Sequence, residues 1–270
     1  VTVVALCDGS IVQDPAHAVA VDDRGLNYGD GLFETALLRD GMVRFADAHL
    51  QRLEQGCNRL GIRFSRSDVE RDIARIASEA REGVLKVVVT RGVGGRGYRG
   101  DPSAPTRRIV TLHPLPSSYP VEGLTVRWCE LRLSRNPLLA GMKHLNRLEQ
   151  VLAQNEWQDP DVAEGLMLDT EGELVCGTSS NVFIVRNGAL LTPDLKFSGV
   201  RGVMRAQVLR AAQQLGWTSS EEPLWPHDLD DVSEVFVTNA VRGIRSVAAL
   251  EDHRWESTAV AGQLRQVLLS

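Results

Sequence analysis

Gly141-Met142-Lys143-His144-Leu145-Asn146-Arg147-Leu148-Glu149-Gln150 is the stretch on which the reading of this chain turns. One lysine stands among small and amide-bearing residues. Behind it Leu145, Leu148 and Leu152 fall at spacings of three and four, the pattern of a helix face. By itself this describes a surface lysine near a helix start. The sharper alternative is an amine held on a rigid element beside a pocket, available as a Schiff-base nucleophile. The residues around it decide between the two.

Towards the N-terminus, residues 124–133 alternate as a strand, and Leu85-Lys86-Val87-Val88-Val89-Thr90 is another. The latter runs into Arg91-Gly92-Val93-Gly94-Gly95-Arg96-Gly97-Tyr98. Gly92, Gly94 and Gly97 satisfy GxGxxG, but a dinucleotide fingerprint needs a helix next. The chain continues instead as Arg99-Gly100-Asp101-Pro102-Ser103-Ala104-Pro105, which cannot start one. A loop bearing Arg91, Arg96 and Arg99 is suited to gripping carboxylates. Leu50, Leu53, Cys57 and Leu60 space as one helix face, with Arg52 beside it as a solvated arginine or an anion clamp. Residues 22–35 carry three glycines in seven positions and read as a loop, either merely exposed or lining a site. Hairpin turns are expected at Asp8-Gly9-Ser10 and Asp40-Gly41.

Towards the C-terminus, strands at 165–169 and 173–176 bracket Thr170-Glu171-Gly172, and Ser180-Asn181 leads into a hairpin through Asn187-Gly188. Gly199 and Gly202 precede a helix that opens at Val203-Met204. Glycines there leave the first helical amides accessible, as an anion site or an ordinary turn. A buried strand at 235–240 ends in a polar turn, and residues 263–269 close as a helix. The Pro- and Ser-rich run 113–120 is the best linker, so the expected domains are 1–115, a linker 116–122, and 123–270 carrying Lys143.

Composition bounds the function. The 270 residues are 43% hydrophobic and 24% charged, as in a soluble globular protein long enough for two domains. A net charge of −5 and a pI near 5.7 argue against nucleic acid, which needs a basic face. No apolar run nears the roughly 20 residues of a membrane span. Cys7, Cys57, Cys129 and Cys176 are scattered, without a CxxC pair or a His at ligand spacing. That fits a reducing cytoplasm and argues against a metal site.

Asp23-Arg24-Gly25-Leu26-Asn27-Tyr28-Gly29-Asp30-Gly31-Leu32-Phe33-Glu34-Thr35, the Lys143 stretch and the Ser180-Asn181 hairpin resemble the class IV (fold type IV) pyridoxal-phosphate enzymes. That family holds branched-chain and D-amino-acid transaminases and aminodeoxychorismate lyase. Residues 91–98 taken with 143–152 look most like the lyase branch, which converts 4-amino-4-deoxychorismate to 4-aminobenzoate and pyruvate for folate synthesis. The resemblance covers essentially the whole chain. It implies a mixed α/β fold of two α/β domains with pyridoxal 5'-phosphate at their interface, in a homodimer. It makes Lys143 the catalytic amine and covalent anchor of the cofactor, and Arg52 a ligand of its phosphate. The helix start Gly202, Val203, Met204 shares that phosphate role, with Asn239 at a second phosphate loop. Arg96 and Tyr98 fall where family members hold a substrate carboxylate, and Arg91 is expected to hold carboxylates of this dianionic substrate beside Arg96. Phe33 stands where transaminases often carry tyrosine, a departure shared by lyase-like members. A D-amino-acid or branched-chain transaminase, and a paralogue that binds cofactor without turnover, are the rival functions.

One position departs from the family pattern. Counted back from Asn181, the glutamate usually set against the pyridine nitrogen is Cys176 here. A carboxylate keeps that nitrogen protonated and the ring a strong electron sink, and a thiol cannot supply the charge. The loss weighs on a transaminase more than on a lyase, whose product gains an aromatic ring. Glu173, nearby in sequence, compensates in part if it turns inward.

Overall fold

The computed structural model describes residues 4–12, 19–116 and 120–269. The chain groups into two units, Val1–Ser117 with Met142–Asn146, and Ser118–Gly141 with Arg147–Ser270. The expected linker spans the first junction, and its residues 117–119 lie outside the described residues.

The first unit contains β1 (Val4–Cys7), β2 (Ser10–Ile11), α1 (Arg24–Tyr28), β3 (Gly31–Arg39), β4 (Met42–Val43), α2 (Ala46–Leu60), α3 (Arg66–Glu79), β5 (Gly83–Thr90) and β6 (Arg107–His113). Its sheet runs β2-β1-β6-β5-β3-β4, with every neighbour antiparallel. The strand period of two decides what each face sees. On β3, Leu32, Glu34 and Ala36 are buried, while Phe33 and Thr35 are half-buried on the other face. The buried face receives α2, whose inward residues are His49, Leu50, Leu53, Gly56 and Cys57. A Cβ on Gly56 would stand 2.4 Å from Leu32 Cδ2, so a larger residue would push helix and strand apart. Residues 22–35, expected as a loop, instead hold α1 and the start of β3. Asp23, fully buried, caps α1 by accepting from the amides of Gly25 (2.7 Å) and Leu26 (3.3 Å).

Lys143 corrects the expected division. It falls in the first unit, not in the C-terminal domain, because residues 143–145 extend antiparallel to β3. Phe33 N–H donates to the Lys143 carbonyl at 2.9 Å, and Leu145 N–H to the Gly31 carbonyl at 3.0 Å. The lysine therefore sits on a strand-like segment and not at a helix start. α4 (Leu148–Gln154) begins five residues later, and Leu148 and Leu152 of the expected inward face are 69% and 52% exposed.

The second unit adds β7 (Leu124–Leu133), β8 (Val162–Asp169), β9 (Leu174–Gly177), β10 (Asn181–Arg186), β11 (Ala189–Thr192), α5 (Val203–Gln214), β12 (Ser219–Glu221), β13 (Glu234–Asn239), β14 (Gly243–Leu250), β15 (His253–Arg254) and α6 (Ala259–Leu269). The order is β12-β11-β10-β13-β14-β7-β8-β9, with β15 on β14 and parallel pairs at β7–β8, β7–β14 and β11–β12. Valine, leucine and isoleucine from these strands form one core that includes Leu166, Val182, Ile184, Val235, Val237 and Val247. Phe183 and Phe236, cross-strand partners, stack at 5.0 Å. Buried Glu234 caps α6 from outside the helix, accepting from the amides of Val260 (3.0 Å) and Ala261 (2.7 Å).

Candidate active site

In the first unit, directly opposed residues of antiparallel neighbours share a face. Lys143 opposite Phe33 on one side, and Val88 opposite Phe33 on the other, place all three on the half-exposed face of the sheet. The Lys143 amine lies 4.3 Å from the centre of the Phe33 ring. Phe33 thus gives the amine an apolar support with a negative ring face and no hydroxyl.

Arg52, on α2, meets Glu34 from the buried face. Its Nε donates to Oε1 at 2.7 Å and its Nη2 to Oε2 at 2.6 Å, while His49 Nδ1 stands 2.7 Å from Oε2. Burial pushes the Glu34 carboxyl up, but the charge of Arg52 and the hydrogen bonds from His49 and Arg52 outweigh it and bring its pKa to about 2. Glu34 falls at the end of a glycine-rich stretch that reads as a loop, where an acid is ordinarily solvent-facing. Its place at an inward position between Leu32 and Ala36 was the available signal.

The glycine-rich loop is organised by its cations. Arg91 gives Nε and Nη2 to Asp30 (2.7 and 3.1 Å), Nη1 to the Gly61 carbonyl and Nη2 to the Leu60 carbonyl, both 2.7 Å. Arg24, 3% exposed, donates from Nε to Asp30 (2.9 Å), from Nη1 to the Gly97 carbonyl (2.9 Å) and from Nη2 to the Tyr98 carbonyl (2.7 Å). Arg91 is therefore corrected from substrate clamp to loop anchor, since these contacts occupy its guanidinium. Arg96 is exposed between the fixed points at Gly94 and Gly97. Tyr98 is also exposed, its ring edge-on to Tyr28 at 5.6 Å.

In the second unit, Gly202 caps α5, and a Cβ there would fall 2.0 Å from Asn181 Oδ1. Asn181 in turn donates to the Val200 carbonyl at 2.9 Å, so hairpin and helix start are fixed together. The first intrahelical bond is Ala206 to Gly202, so the amides of Val203 and Met204 lie ahead of the helical ladder. Asn239 ends β13 and accepts at Oδ1 from the amides of Val241 (3.1 Å) and Arg242 (2.7 Å), shaping the turn with its side chain.

Cys176, on β9, is buried. Burial, reinforced by the negative charge of Glu164, pushes its thiol up to about 12, so it stays protonated and neutral. Glu173 does not turn inward; its carboxylate lies 3.4 Å from Arg135, which also holds Asp169 at 2.8 Å. The buried acid beside Cys176 is Glu164, whose Cγ and Cδ would lie 3.0 Å from a Cβ on Gly177. Its oxygens accept from the hydroxyls of Thr178, Ser179 (2.9 Å) and Ser180 (2.9 Å). The polar run 178–180 signalled a buried acceptor, but not which acid it served. Among the described residues no cluster of His, Cys, Asp and Glu is arranged to hold a metal ion, and no helix is long and apolar enough to cross a membrane.

The family of amino-transferase class IV matches residues 31–250, and the chain belongs to it. That family is pyridoxal-phosphate-dependent. A 4-amino-4-deoxychorismate lyase from Pseudomonas aeruginosa is similar in structure, with a TM-score of 0.92 and 41% identity, covering 98% of this chain and 99% of that one. An aminodeoxychorismate lyase from Vibrio harveyi is 35% identical over 87% of this chain and 89% of its own. A Methanocaldococcus jannaschii protein assigned as a branched-chain-amino-acid aminotransferase is 34% identical over 90% of this chain and 86% of its own.

Proposed function

We propose that this chain is a pyridoxal-phosphate-dependent lyase that converts 4-amino-4-deoxychorismate to 4-aminobenzoate and pyruvate. The observation that carries it is the 41% identity to the Pseudomonas aeruginosa lyase over nearly the whole of both chains. Identities of 35% and 34% to a lyase and to an assigned transaminase do not separate the two by themselves. Phe33 adds to the lyase side, standing without a hydroxyl next to the amine.

The donor set fits the cofactor. Lys143 would hold its aldehyde carbon, and Arg52 with the amides of Val203 and Met204 would hold its phosphate, with Gly202 and the turn at Asn239 shaping that end. Bound there, pyridoxal phosphate supplies an electron sink for charge developing on the substrate carbon next to nitrogen. Cys176, a neutral thiol at the position the family pattern gives to a glutamate, would offer the ring nitrogen no charge. Exposed Arg96 and Tyr98 would orient a substrate carboxylate. The Lys143 amine would act as the base that takes the proton from the amine-bearing ring carbon of the substrate. The bond from the ring to the enolpyruvyl oxygen breaks as the ring becomes aromatic. The same amine then returns the proton to the departing methylene, which completes pyruvate.

The proposal includes a homodimer and a cytoplasmic location; four cysteines scattered along the sequence without a CxxC pair support the latter. Sedimentation reads the former. Incubating the protein and cofactor with 4-amino-4-deoxychorismate should give 4-aminobenzoate and pyruvate in equal amounts, and Lys143→Ala should give neither. Keto-acid exchange with 2-oxoglutarate in place of that product would favour the transaminase.

A further inference from the structure

We propose that Lys86 is a substrate-binding residue, the standing cation that makes the site prefer a dianionic carboxylate substrate. This rests on the lyase reading for the identity of the substrate, though not for the preference itself. The chain writes its positive charges almost entirely as arginine: of 30 cations only Lys86, Lys143 and Lys196 are lysine. Lys196 has an ordinary partner, Asp194 at 2.6 Å. The other two face one aromatic ring. Lys86 Nζ is 5.5 Å and Lys143 Nζ 4.3 Å from the centre of Phe33. Both distances run to one point, so the two nitrogens lie within about 10 Å of each other.

The sheet explains how Lys86 arrives there. β5 is an interior strand between β3 and β6, and Lys86 is registered with Thr35 on one side and Thr111 on the other. Thr35 follows Phe33 by two residues, so Lys86 emerges on the face that carries Phe33 and Lys143. Lysine is disfavoured inside strands and is normally kept at edges. Here it is exposed at the middle of the sheet, and among the described residues no carboxylate pairs with it. The contrast with the loop is sharp, since Arg24 and Arg91 are both consumed by Asp30.

Chemistry assigns the role. Lys143 is committed to covalent and proton-transfer chemistry at its own nitrogen, so it cannot be the permanent counter-ion of the substrate. Lys86 takes no part in that chemistry and offers three donors on a flexible stem. A six-membered ring whose amine lies on the Lys143 side of Phe33 would be close enough for Lys86 to reach a carboxylate on it. Lys86 would take one carboxylate and exposed Arg96 the other.

Isothermal titration of the cofactor-loaded protein with benzoate and with isophthalate tests the preference without turnover. Wild type should bind isophthalate more tightly, and Lys86→Met, which keeps the stem, should lose about tenfold to a hundredfold for isophthalate while benzoate changes little. Lys86→Gln is the second variant should the first not fold. Unchanged isophthalate affinity in a folded variant overturns the proposal, as does a wild type that treats the two anions alike. A wild type with the preference but no 4-aminobenzoate production would remove the lyase reading and leave the assignment of Lys86 standing.

Discussion

Replacing Glu34 by glutamine keeps the volume of the side chain and removes its charge, a permanent copy of the protonated acid. In the folded chain the carboxyl pKa is brought from 4.5 to about 2. A difference of about 2.5 units, at about 1.4 kcal/mol each, favours the charged form by about 3 kcal/mol. The folded value lies below the unfolded one, so this stabilisation is fully present above pH 4.5 and is lost as pH falls towards 2. Wild type should therefore exceed Glu34→Gln by about 3 kcal/mol at pH 7 and by only about 1 kcal/mol at pH 3. Asp30 and Asp228 also titrate low, held down by Arg91, Arg24 and Arg186 against the effect of burial, but they are common to both proteins and cancel in the difference. Urea denaturation followed by far-ultraviolet circular dichroism at several pH values reads the gap. A gap that stays constant from pH 7 to pH 3 would refute the view that Arg52 and His49 hold a charged Glu34.

Arg96→Ala should raise KM about tenfold or more with little change in kcat, whereas Arg91→Ala should lower the melting temperature, because it strips Asp30 and two carbonyls of their donor. Steady-state kinetics beside a thermal melt separates the two; a purely kinetic effect at Arg91 would reverse its reassignment. Cys176→Glu should change lyase kcat by less than about tenfold, because aromatisation drives the step, while raising any side transamination. A larger gain in lyase rate would mean that the thiol is a defect.

Turns and helices with local signals were legible in the sequence. Asp40-Gly41 and Asn187-Gly188 adopt the positive φ values that their residue types invite, and the α2 face was read from Leu50, Leu53 and Cys57. What failed was non-local. Leu145, Leu148 and Leu152 imitate a helix face, yet 143–145 is drawn onto β3 by hydrogen bonds to residues more than a hundred positions earlier. α3, with Val69 and Ile76 inward, is so rich in charge that its apolar period was faint. Lys143, Arg52 and Gly202 were singled out as candidates by motif. Glu34, Glu164 and Lys86 were not, because their meaning depends on which neighbour a strand register brings alongside.

The excursion of residues 142–146 has a consequence for how the protein is made. A nascent chain that has emerged only as far as residue 117 carries every strand of the first sheet but lacks the segment that lines β3 at Gly31–Phe33. Those backbone groups wait for about thirty more residues of synthesis, which raises the contact order of the unit and delays its completion. A truncated product ending at the linker would expose that unsatisfied strand flank to other chains. The polypeptide passes from one unit to the other three times, so neither can be excised as an autonomous cassette without cutting through the lysine's own support.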